Sequence, residues 1–175
     1  MKERCPTCNK GTLKRGTTRH EVAISKVVFV GELRAEVCSH CDEALVWAGE
    51  LGNFEHAIAA QLVKLGLRTG PAFKFMRKVF GIRAVDLAEL LGVAAETVSR
   101  WENGKPDALA FAALGGIVQD RLAGTDFTAQ RLRAIQHPVS RKRIEVEVPP
   151  TTNPAAHEDH SASKPKRPSR SRNAA

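Results

Sequence analysis

No apolar run in this sequence is long enough to cross a bilayer: the longest, VVFV at Val27–Val30 and ALAFAALGGIV at Ala108–Val118, fall well short of the roughly 18 residues that a span requires. The opening MKERCPTC carries positive charge with no apolar segment behind it, which argues against a secretory signal and makes a cytoplasmic location the expectation. From Pro149 onward there is no Val, Leu, Ile, Met, Phe or Trp. Such a segment cannot bury enough surface to offset the entropy of ordering, so disorder is predicted there. No repeat of solenoid period is present, which excludes the stacked architectures. Cysteine is scarce as well: the chain holds four, the last of them Cys41. In a reducing compartment disulfides are rare, so these thiols are read as metal ligands or a redox centre rather than as staples. No nucleophile beside a general base and no open metal position emerges, and the chain is not expected to be an enzyme.

What is present is positive charge and a spaced set of thiols. The 175 residues carry a formal net charge of +8 with a pI of 9.7, which points to a polyanionic partner. That length suits two small domains, and a small N-terminal unit buries too little surface to stay folded without a metal or cross-links. CPTC at Cys5–Cys8 is answered by CSHC at Cys38–Cys41. Two CxxC turns can converge on one tetrahedral ion, and four thiolates leave no position for water. Cys5, Cys8, Cys38 and Cys41 therefore predict one structural zinc ion per chain. A redox dithiol is the competing reading, and it needs a depressed thiol pKa at a helix start. Here each pair borders a predicted hairpin. Val27, Phe29, Leu33, Ala35 and Val37 share odd positions and alternate with Glu32, Arg34 and Glu36, the period of a half-buried strand. LKRGTTRHEVAI before them supplies the partner strand. Gly11 is expected to provide a left-handed residue for the first turn. With four cysteines available, His20, His40 and His56 are read as surface or packing residues and not as ligands.

Beyond the second CxxC the period changes. Leu51, Phe54, Ile58, Leu62 and Leu65 step by three and four along a helix that starts at Glu50 and that Gly66 can end, and RTGP at Arg68–Pro71 marks a boundary. Helices are then expected at Ala72–Phe80, Ala84–Leu91, Ala95–Asn103, Asp107–Leu122 and Phe127–Gln136, the last capped by Asp126. RKRIEVEV afterwards alternates at Ile144, Val146 and Val148 like a lone strand.

GIRAVDLAELLGVAAETVSRWENGKP, Gly81–Pro106, resembles the Xre/Cro-like helix-turn-helix, most closely in Leu87-Ala88-Glu89-Leu90-Leu91-Gly92-Val93 and in Val98-Ser99-Arg100-Trp101-Glu102-Asn103-Gly104. Ala88 permits close helix approach, Gly92 a sharp turn, and Val93, Val98 and Trp101 fill the space between the helices. On that resemblance Ala95, Glu96, Thr97, Ser99 and Arg100 point outward from a recognition helix whose N-terminal part enters the major groove. Arg100 can donate two hydrogen bonds to guanine; its alternative is a solvated ion pair with Glu96. Arg83-Ala84 stands where the family usually has Thr-Gln, and Ala94 where Ser or Thr caps the recognition helix, each lost cap costing about 1 kcal/mol. Arg83 is expected to approach a phosphate instead, as are Arg68, Lys74, Arg77 and Lys78 in an acid-free stretch. Lys105, in the joint after the helix, completes the DNA-binding set.

A four-cysteine hairpin followed at this distance by an Xre-like block is similar to the MqsA antitoxin family, with its YgiT-type zinc finger, over about Met1–Gln136. The resemblance implies an α+β chain of two domains: a small zinc-bound β-hairpin domain at 1–49, a linker helix and hinge at 50–70, and an all-α five-helix Xre/Cro-like domain at 71–137. A basic, mostly disordered tail at 138–175 has no family counterpart, and its KPKRPSRSR end can add salt-sensitive DNA affinity or serve only solubility. By the same resemblance the N-terminal domain binds and neutralises a ribonuclease toxin, while the C-terminal domain forms a homodimer and represses its own operon at a palindromic site in double-stranded DNA. Glu96 replaces one of the family's two base-contacting residues, so a different operator is expected. The alternatives are a stand-alone zinc-finger and helix-turn-helix regulator without a toxin and, from another class, a CxxC redox protein.

Overall fold

In the computed structural model, which describes residues 4–138, 140 and 145–147, the alternating N-terminal third forms an antiparallel hairpin. Strand β1 (Leu13–Ile24) pairs with β2 (Val27–Cys38) in a register running from Leu13 opposite Cys38 to Ile24 opposite Val27. The odd positions of β2 turn inward as their spacing predicts: Leu33 and Ala35 are buried while Glu32 and Arg34 face solvent. Ser25 makes the connection possible by taking a left-handed φ of 58° in the turn Ser25-Lys26. A third strand, β3 (Ala44–Val46), continues the sheet on the far side of β2, with Ala35 opposite Val46. Three residues carry no readable period, so the sequence does not announce it.

Six helices follow: α1 (Ala48–Leu65), α2 (Gly70–Val79), α3 (Ala84–Leu91), α4 (Ala95–Asn103), α5 (Ala108–Leu122) and α6 (Phe127–Gln136). The predicted stripe on α1 buries Ile58 and Leu62, and Gly66 ends the helix at φ 60°. Leu65, expected on that stripe, is instead 59% exposed, and Val63 packs against the core at this end of α1 in its place. α2 begins two residues before its expected start. Thr69 Oγ1 accepts from the Ala72 N–H at 3.3 Å, and Pro71 occupies the first turn, where a missing N–H costs nothing. α3 and α4 start at Arg83 and Ala94 without a side-chain cap, as their residue types predict. Asp107 does cap α5, accepting from the Leu109 N–H at 2.8 Å. The expected cap at Asp126 is a correction. Its carboxylate takes Arg133, and the Thr128 N–H donates to Asp120 Oδ2 of α5 at 2.5 Å instead. That N–H holds the Asp120 carboxyl below the usual carboxylate range.

Met1–Val139 forms one compact unit, in which the hairpin tip and the helices share a core: Ile24 clusters with Ile58, Phe73, Met76, Leu87 and Leu114. Gly31 lies under the Phe54 ring of α1, where an added Cβ would come within 2.6 Å of Cε2. At the tip Ser25 Oγ and Thr69 Oγ1 share a hydrogen bond of 2.7 Å. The boundary expected at Arg68–Pro71 falls between α1 and α2 inside this unit. The second unit, Ser140–Ala175, is described only at residues 140 and 145–147, which have no regular structure. Ile144, Val148 and the segment expected to be disordered lie outside the described residues.

Arg77 requires another correction. It is not a phosphate-facing cation but a buried one, donating from Nε to Glu102 Oε1 at 2.5 Å and from Nη1 to the Ile82 carbonyl at 2.6 Å. The pair bolts α2 to α4, with side chains only 11% and 8% exposed. Removing one partner strands a charge in the core, so Glu102→Leu is expected to cost about 3–5 kcal/mol, whereas Arg77→Met combined with Glu102→Leu costs much less. Urea denaturation of the two single variants and the double variant measures this difference.

Candidate metal centre and the α4 surface

Each CxxC pair is folded by its own backbone before any ion is considered. The Cys5 N–H donates to the Gly11 carbonyl at 3.0 Å and the Cys38 N–H to the Glu43 carbonyl at 2.9 Å, closing two similar loops. Asn9 and Asp42, each directly following the second cysteine of its pair, both adopt φ 55°. These are the residue types other than glycine that tolerate the left-handed region, and their matched positions are the signal that sequence reasoning passed over. Gly11, expected to be left-handed, is needed for closeness instead. An added Cβ would collide with Cys38 Sγ and lie 2.9 Å from the His40 backbone nitrogen. The loops are locked together by the Ser39 N–H donating to the Thr12 carbonyl at 3.1 Å.

The four thiols thereby converge at the open end of the hairpin, all within 4.8 Å of one another. Cys5 and Cys41 sulfurs are 3.8 Å apart and Cys8 and Cys38 sulfurs 3.7 Å. A tetrahedral ion with bonds of about 2.3 Å spaces its sulfurs by about 3.8 Å, so the residues present fit one ion. Cys5 and Cys38 are buried, Cys8 half-buried and Cys41 exposed. Backbone N–H groups point at the sulfurs, from Gly11 to Cys8 at 3.5 Å and from His40 to Cys38 at 3.4 Å. The Gly11 and Lys10 N–H groups pull the Cys8 thiol down to about 6, and the Cys8 N–H lowers Cys5. The Glu43 N–H favours the Cys41 thiolate too, but desolvation and the neighbouring sulfurs outweigh it and push Cys41 up to about 12. Four sulfurs this close resist full ionisation until a cation compensates them.

Among the described residues this is the one group of three or more ligand-type side chains close enough to share an ion. The histidines do other things: His20 meets Phe54 edge-on at 5.7 Å, and His56 stacks on Phe80 at 4.8 Å. His40 is exposed. Neither thiol pair opens a helix, the setting a redox dithiol needs.

The second set of expected site residues lies on and around α4. Gly92, at φ 65°, ends α3, and Val93 and Ala94 lead directly into α4, whose Val98 is buried in the same core cluster as Leu87 and Ala88. Glu96, Ser99 and Arg100 are exposed. Arg100 Nη2 donates to Thr97 Oγ1 at 3.0 Å rather than pairing with Glu96. Ala95 and Thr97 were expected to point outward, and both are half-buried, Ala95 packing against the core and Thr97 accepting from Arg100. Lys105 is exposed in the joint after α4. Arg83 is also exposed, but its guanidinium holds both Asp86 oxygens, at 2.8 and 2.6 Å.

Cys38→Ser removes one of the four thiols, and elemental analysis is expected to find stoichiometric metal in the parent protein and none in this variant. Gly11→Ala keeps every ligand yet crowds Cys38, and thermal denaturation of the metal-loaded protein should show about 1–3 kcal/mol of destabilisation. Thr7→Ala, on the exposed side of the same turn, is expected to stay within about 0.5 kcal/mol. No protein-family model and no curated protein matches the chain.

Proposed function

We propose that this chain is a zinc-stabilised, sequence-specific DNA-binding repressor of the antitoxin kind. The observation that carries the reading is the α3–α4 pair: a left-handed glycine turn, a buried seam at Leu87, Ala88 and Val98, and an outer face carrying Glu96, Ser99 and Arg100. A helix held in this way presents its outer side chains to a major groove, and a guanidinium there can donate to guanine O6 and N7. Arg100 is the base reader in this proposal and Lys105 a phosphate contact. Arg83 reaches a phosphate only by exchanging Asp86 for it. The net charge of +8 supplies the attraction to the duplex.

The metal in this reading is zinc. All-sulfur tetrahedral sites suit it, and four protein ligands leave no coordination position for chemistry, so its role is to hold the fold. The resemblance to MqsA antitoxins adds the rest: cytoplasmic action as a homodimer on a palindromic operator and capture of a ribonuclease toxin by the N-terminal domain.

Gel-shift titration against the protein's own upstream DNA tests the core of this. Arg100→Ala is expected to relax preference at one operator position, worth about 1–3 kcal/mol, while Lys105→Ala weakens all sequences alike and lowers the salt slope by about one. Uniform weakening by Arg100→Ala would make it a phosphate contact, and no binding by the parent protein would end the DNA reading. Co-expression with candidate ribonuclease toxins separates an antitoxin, which returns a stoichiometric complex, from a solitary regulator, which returns none.

A further inference from the structure

We propose that the groove between the hairpin tip and α2 binds a single-chain amphiphile with a carboxylate head, of the medium-chain fatty-acid class. The groove holds about 500 Å³, within the range of small-molecule sites. The half-buried Phe75 and Val79 of α2, backed by the buried Ile24 of β1, give it an apolar wall. Lys74 and Lys78 line the same groove one helical turn apart, which puts two ammonium groups within reach of one head group. Neither lysine's ammonium group donates a hydrogen bond to, or forms an ion pair with, any described residue. The lining acid, Glu55 of α1, is a single carboxylate, so the groove keeps a net positive charge.

The two halves of this lining select the ligand together. A nucleic-acid backbone would satisfy the lysines and leave the solvent-facing parts of the half-buried Phe75 and Val79 uncovered. A neutral hydrocarbon would do the reverse. An acyl chain laid on the wall with its carboxylate between Lys74 and Lys78 uses both, and it does so whether or not α4 reads DNA.

Isothermal titration of the metal-loaded, full-length protein with decanoate, kept below micelle formation, is expected to show one site per chain. Affinity should rise by up to about fourfold for each methylene added from octanoate to dodecanoate. Decanol and decyltrimethylammonium, of equal chain length, should bind at least tenfold more weakly than decanoate. Lys74→Gln with Lys78→Gln should abolish the preference for the carboxylate, and Lys74→Glu with Lys78→Glu should transfer it to decyltrimethylammonium. Amide shifts in the parent protein should concentrate at Lys74, Phe75 and Val79. Equal affinity for decanoate and decanol, unchanged decanoate binding in the doubly neutralised variant, or binding of an acidic amphipathic peptide where decanoate fails would overturn the proposal.

Discussion

Four sulfurs within 4.8 Å of one another constrain everything upstream of the helices. Protonated, they are only weak partners; ionised, they repel, and a dication is what turns them into a clamp. The thiol cluster sits at the open end of a hairpin whose strands each run 12 residues, about 40 Å from base to tip. A hairpin of that kind is marginal by itself. This one is held at both ends: by thiol convergence at the base, and at the tip by Ile24 entering the helical core and Ser25 bonding to Thr69. Between the ends, Gly31 gives Phe54 the clearance to lie on the sheet.

The helical part solves a different problem, the orientation of α4. Apolar contacts at Val98 and Trp101 set its depth, Trp101 meeting Phe73 edge-on at 6.0 Å. Apolar packing alone tolerates sliding, because oily surfaces of similar shape exchange at little cost. Directional contacts limit it. Arg77 grips Glu102, and the Gly70 N–H donates to the Gly104 carbonyl at 2.9 Å just past the end of α4. Gly70 must be glycine there, since a Cβ would stand 2.7 Å from that carbonyl oxygen.

What could be read in advance was what neighbours in sequence decide. The hairpin strands follow from a period of two, α1 from a period near 3.6, and the bounds of α3, α4 and α6 from the glycines, prolines and polar residues beside them. The four thiols were legible as a set because their spacing is a pattern in itself. What escaped depends on partners distant in the chain. Arg77 looked like a phosphate contact because no acid lies near it in sequence, and its partner Glu102 is 25 residues away. Gly11 looked like a turn residue, yet its lack of a side chain serves Cys38 across the site. Asp126 looked like a cap, and Asp120, on the preceding helix, takes that role. β3 was invisible because three residues pair only where β2 already offers an edge.

α2 is where these strands of organisation meet. Its cap residue Thr69 bonds to the hairpin tip, its first residue touches the end of α4, its Arg77 grips the middle of the same contact, and its Lys74 and Lys78 line the open groove. Close-packed interiors transmit small shifts instead of absorbing them. A displacement of α2 by a change at the hairpin tip or in the groove therefore has no slack in which to disappear before it reaches Glu102 and Gly104. The two halves that composition separates, one built on sulfur and one on apolar helix faces, are joined in one compact unit through this helix, and the thiol cluster closes the far end of the hairpin that bears on it.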